Sequence, residues 1–109
     1  MQRKYFFFDI DGTLATGLTT IMPESAKRCI ARLRENGHFT ALATGRLQAS
    51  AAQVAARYGF THFVADGGYS LTLDGKIIEM RSLPAADCIS LIDRLVRQDI
   101  PSALSVGNE

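Results

Sequence analysis

The first 66 residues of this chain alternate short apolar runs with amphipathic segments, joined by only a few residues, and that alternation leaves few folds open. "KYFFFDI" (4–10), "HFTALAT" (38–44) and "THFVAD" (61–66) are short and apolar without helical periodicity, so each reads as a strand. The first has the pattern of a strand buried on both faces. Between the first two, Pro23 suits a first helical turn, and Ala26, Cys29, Ile30 and Leu33 form an i, i+3, i+4, i+7 stripe. "ENG" closes that helix, with Gly37 as its left-handed cap. "GRLQASAAQVAARYG" reads as a second helix, with Ala51, Val54, Ala55 and Tyr58 on one face and Gly59 as its stop. A β-α-β-α-β order with short joins implies right-handed crossovers and a parallel sheet.

Beyond Gly68 the texture changes. "YSLTLDGKIIEM" carries two strand-like runs about Asp74-Gly75, a strong hairpin signal. "LPAADCISLIDRLVRQD" gives a third helix with Cys88, Leu91, Ile92 and Leu95 in register, and "IPSALSVGNE" reads as the start of another strand.

Composition narrows the function. A net charge of +1, with basic residues scattered among acids, offers no footprint for nucleic acid or an anionic membrane. No apolar run approaches the roughly 18 residues of a membrane span, and the N-terminus lacks a signal-peptide layout. Cys29 and Cys88 fit no zinc or redox spacing; on their helix stripes they read as reduced, packed thiols, and a cytoplasmic protein is expected.

The chemistry begins at the end of the first strand. In extended backbone, residues i and i+2 share a side, so Asp9 and Asp11 point one way while Ile10 turns toward the apolar layer. Two carboxylates about 5 Å apart repel by roughly 3 kcal/mol at an effective dielectric of about 20. A hard cation such as Mg²⁺ removes that cost. In open parallel sheets ligands bind at the carboxyl ends of strands, which brings Thr44, at the end of the second strand, to the same edge. There Thr44 offers a hydroxyl, Gly45 an approachable N–H, Arg46 a cationic fork, and the following helix its N-terminus, all suited to phosphate. Acids with metal facing phosphate donors make a phosphoryl-transfer site. A calcium loop starting at Asp9 would want Gly and Glu where Leu14 and Thr20 stand.

"FFFDIDGTLA" resembles the first motif of the haloacid dehalogenase-like (HAD) superfamily, and "ALATGR" resembles its second motif in the Cof-type sugar-phosphatase form. "FVADGGYSLTLDGKIIE" resembles that subfamily's third strand and hairpin, with Asp66 and Gly68 departing from the usual N-G-A. The resemblance implies an α/β, three-layer Rossmann-like core with a parallel sheet, incomplete here, over 1–80, and the beginning of an α/β cap domain over 81–109. It further implies Asp9 as nucleophile, Asp11 as general acid and base, Mg²⁺ on the Asp9 carboxylate and the Asp11 backbone carbonyl, and the phosphoryl group on Thr44, Gly45 and Arg46. Asp66 and Gly67 become candidates for contact with substrate or cap. The substrate class is a small phosphorylated metabolite such as a sugar phosphate.

The family's lysine and its second acidic pair have no counterpart here: Lys27 and Lys76 end no core strand, and Asp87, Asp93 and Asp99 lack the motif's neighbours. An N-terminal fragment of weak or absent activity is expected, with self-association through unpaired strands. Three alternatives stay open: a phosphomutase of the same superfamily, a receiver-like domain with Asp66 as acceptor, and a non-catalytic assembly module.

Overall fold

The computed structural model describes residues 2–17 and 21–105. The element order is β1 (Tyr5–Phe8), α1 (Glu24–Glu35), β2 (Phe39–Ala43), α2 (Gln48–Tyr58), β3 (Phe63–Ala65), a short 3-10 turn (Asp66–Gly68), β4 (Ser70–Leu73), β5 (Lys76–Met80) and α3 (Ala85–Arg97). The polar loop expected after Asp11 is described as far as Gly17; its residues 18–20 lie outside the described residues.

The five strands form one sheet in the order β1-β2-β3-β4-β5. β1 pairs with β2 and β2 with β3 in parallel. The hairpin then extends the same sheet antiparallel, β4 on β3 and β5 on β4, so the expected parallel sheet is mixed. Its turn is built at Asp74 (φ 50°) and Gly75 (φ 75°), the two left-handed residues that a tight hairpin with matching twist requires. α2 ends as expected, with Gly59 left-handed at φ 72° and its N–H bonded to the Ala55 carbonyl.

The core lies between the sheet and α1 and α2. Ile10, Leu42, Ala51, Val54, Ala55, Phe60, Phe63 and Ala65 form it, joined by Ile30 from α1 and Met22 from the loop before it. Met22 donates its N–H to the Tyr58 hydroxyl at 2.9 Å, tying that loop to the end of α2.

Three expectations are corrected. β1 is not buried on both faces: Tyr5 and Phe7 are 63% and 58% exposed, because α1 and α2 cover only the face to which Phe6 and Phe8 turn. Among the described residues no second helical layer covers the other face, where the Tyr5 and Phe7 rings lie against Phe39 and the Arg3 guanidinium sits over Tyr5 and Phe39. Cys29 is exposed rather than packed, since the buried line of α1 narrows to Ile30. Residues 101–105 form no strand, for a strand needs a ladder partner. Residues 106–109, the rest of that expected strand, lie outside the described residues.

Candidate active site

Asp9 and Asp11 flank the most deeply buried residue of the loop. Ile10 has no exposed surface, while both aspartates are exposed. The loop closes on the Ile10 carbonyl, which accepts the N–H groups of Thr13, Leu14 and Ala15 at 3.3, 3.1 and 2.9 Å. Gly12 makes this turn possible at φ 81°, where a side chain would be strained although its space is open. Buried Leu14 and Ala15 then anchor the loop to the core. The greasy strand and its apolar return thus hold the two acids at the sheet edge.

The second half of the site follows β2. Thr44 is 7% exposed, and its hydroxyl oxygen accepts the Arg46 N–H at 3.1 Å, which leaves the hydroxyl proton free to be donated outward. The loop's backbone is fixed from β3: Thr44 N–H binds the Val64 carbonyl at 2.9 Å, Asp66 N–H binds the Arg46 carbonyl at 2.7 Å, and Gly67 N–H binds the Thr44 carbonyl at 3.3 Å. The Gly45 N–H has no hydrogen-bond partner among the described residues, and beyond its chain neighbours no heavy atom lies within 4 Å of where a Cβ would stand. Gly45 thus exposes a backbone donor beside a hydroxyl donor, an arrangement that suits an anion.

Arg46 joins the two halves. Its Nε donates to Asp11 Oδ2 at 2.8 Å and its Nη2 to Asp11 Oδ1 at 2.5 Å, a two-pronged ion pair across 35 residues of sequence. The hydrogen bond from Arg46 holds the Asp11 carboxyl below the usual aspartate range, and the same bond raises the Arg46 guanidinium. Sequence reasoning assigned Arg46 to the anion alone; opposite charges on two loops expected at one edge were the signal for this pair.

Asp66 follows β3 and opens the 3-10 turn in a left-handed conformation (φ 53°), and its Oδ2 accepts the Gln48 N–H of α2 at 3.3 Å. It and Leu47, Tyr69, Met80, Arg81 and Cys88 line a cavity of about 450 Å³ next to the 44–46 loop. Gly67 is exposed in the same turn.

The donor set bears on the metal. Asp9 Oδ1 accepts the Ile10 N–H at 2.8 Å, and Asp9 Oδ2 has no protein partner among the described residues. One outward carboxylate oxygen with the neighbouring Asp11 carbonyl fits a hard cation that keeps most of its water, as Mg²⁺ does. Among the described residues no three His, Cys, Asp or Glu side chains gather as a fuller metal cluster. Lys27 pairs with Glu24 on α1, Lys76 opens exposed β5, and Asp93 pairs with Arg97 on α3, so none joins the site.

Residues 6–109 match the haloacid dehalogenase-like hydrolases, and the chain belongs to that family. The protein named "Putative phosphatase YkrA" of Bacillus subtilis (strain 168) is 31% identical over 98 residues, 90% of this chain and 36% of that protein. A hypothetical protein of Geobacillus kaustophilus HTA426 shares the fold at TM-score 0.76 and 28% identity, over 90% of this chain and 38% of its own. BT1666 of Bacteroides thetaiotaomicron, a HAD-superfamily phosphatase, shares it at TM-score 0.77 and 23% identity, over 89% of this chain and 36% of its own. The chain therefore spans little more than a third of the length of these relatives. Among the described residues no helix is long and apolar enough to cross a membrane.

Proposed function

We propose that this chain carries the phosphoryl-transfer half of a Mg²⁺-dependent phosphomonoester hydrolase acting on a small phosphorylated metabolite such as a sugar phosphate. The observation that carries this reading is the junction of two loops: the acids after β1 stand against the anion donors after β2, linked by Arg46 and Asp11.

In this mechanism the phosphoryl group rests on the Thr44 hydroxyl, the Gly45 N–H and the Arg46 guanidinium. Asp9, whose Oδ2 is unengaged, attacks phosphorus, and the bond to the leaving oxygen breaks. Asp11, ionised in its pair with Arg46, takes a proton from solvent once parted from the guanidinium, gives it to that oxygen, and then takes one from the water that opens the aspartyl-phosphate. Mg²⁺, held by the Asp9 carboxylate and the Asp11 carbonyl, would neutralise charge on the transferring group. The leaving group fits the 450 Å³ cavity beside Leu47, where Tyr69 and Arg81 would face a sugar. The lysine and second acidic pair implied by the family resemblance are absent from these residues. Their loss removes charge stabilisation of several kcal/mol, or orders of magnitude in rate.

The test is phosphate release from a panel of sugar phosphates and other small phosphoesters, by this chain and by Asp9→Asn, with Mg²⁺ or a chelator. The expected release is slow, needs Mg²⁺ and disappears in Asp9→Asn. Equal release by Asp9→Asn, or in chelator, contradicts the reading.

A further inference from the structure

The two-pronged ion pair between Arg46 and Asp11 has a consequence for how an anion enters. Arg46 donates from Nε and Nη2 to the two oxygens of one carboxylate, so the face of its fork is already taken. The neighbouring Gly45 N–H is unclaimed, and the Thr44 hydroxyl keeps its proton for an outside acceptor. Two donors are therefore ready for an anion while the third and only charged one is engaged. The pair is accessible: the Arg46 side chain is 24% exposed and that of Asp11 is 55% exposed. Exposed pairs of this kind contribute little, so a phosphate dianion can compete for the guanidinium.

Resting on the phosphatase reading above, we propose that Arg46 is an exchange gate: the incoming phosphoryl anion takes the guanidinium from Asp11, and the Asp11 side chain is released only when the anion is seated. With the guanidinium on Asp11, the acid and the cation of the site neutralise each other. A seated anion replaces the carboxylate on the same two N–H groups, so no hydrogen bond of Arg46 is lost. Asp11 is then both a ligand of the resting guanidinium and a competitor of the substrate. Its removal should tighten anion binding through Arg46, and simple relief of charge repulsion should tighten it without Arg46. Those two causes can be separated.

The experiment is a titration with inorganic phosphate in chelator, following the Gly45 and Arg46 amide resonances, for the wild-type chain, Asp11→Asn, Arg46→Gln and the double variant. Both substituted positions are at least partly exposed, and unshifted amides of Leu42 and Ala55 serve as a check on the fold. Asp11→Asn is expected to tighten binding about two- to fivefold, the value of an exposed ion pair. Arg46→Gln should weaken it about tenfold. In the Arg46→Gln background, Asp11→Asn should change nothing. If Asp11→Asn tightens binding equally with and without Arg46, repulsion alone acts and the exchange gate is overturned while the phosphate site stands. If phosphate moves neither amide in any variant, the phosphate site and the gate both fall.

Discussion

Asp66 Oδ2 accepts the backbone N–H of Gln48 at 3.3 Å, so the residue just after β3 caps the first turn of α2. The same residue's N–H holds the Arg46 carbonyl at 2.7 Å. One aspartate thus fixes both the helix start and the loop that carries the proposed anion donors. Asp66→Ala should destabilise the chain by about 1 kcal/mol, the usual value of a lost N-terminal cap, with added strain from its φ of 53°. Asp66→Asn, which accepts the same bond and tolerates that backbone, should cost less. Urea denaturation of the two variants decides it.

The sheet edge rests on one buried side chain between two exposed acids. Ile10→Ala should lose about 2–5 kcal/mol, because Ile10 has no exposed surface and the cavity would lie beneath the 10–15 loop. Phe7→Ser, on the uncovered face, should lose only about 1 kcal/mol, the value of its ring contact with Phe39. Similar denaturation midpoints for the two variants would show that the packing is wrongly assigned.

Much of this was readable from local pattern. The strands of the β-α-β-α-β unit are short apolar runs, and the i, i+2 rule put Asp9 and Asp11 outside and Ile10 inside. Gly59, Gly37 and Asp74-Gly75 marked real turns, since left-handed backbone has few residue solutions. What failed depended on the surroundings. Whether Tyr5 and Phe7 are buried is decided by what covers the second face of the sheet, and no local pattern encodes that. Cys29 lies one residue from Ile30, so a small rotation of α1 about its axis moves it from core to solvent. The Arg46–Asp11 pair links residues 35 apart, and only the assembled strands bring them together.

The hairpin turn gives a cleaner backbone test. Gly75 has open space around it but a φ of 75°, so a larger residue meets strain, not a clash. Gly75→Val should cost about 1–2 kcal/mol. Amide exchange should speed up in β4 and β5 while β1 and β2 keep their protection.

Acid titration should report the Asp11–Arg46 pair. The hydrogen bond from Arg46 lowers its folded pKa, so the stabilisation from this pair is present above the unfolded aspartate pKa and is lost as pH falls through the folded value. In carboxyl-detected NMR the Asp11 midpoint should therefore lie below the ordinary aspartate range. Arg46→Gln should return it upward. An unmoved midpoint in that variant would remove Arg46 as the cause.

The two cysteines should differ in solution. Cys29 is exposed on α1 and Cys88 is partly covered beside the 450 Å³ cavity. A neutral thiol reagent under native conditions should modify Cys29 first, read by intact mass and peptide mapping.

The decisive measurement is acid-quenched labelling of the chain with radioactive acetyl phosphate and Mg²⁺, followed by mapping of the labelled peptide. A phosphoryl group on Asp9, absent in Asp9→Asn, is the predicted result. Label on Asp66, or no label on any aspartate, would contradict the assignment of Asp9 as the nucleophile.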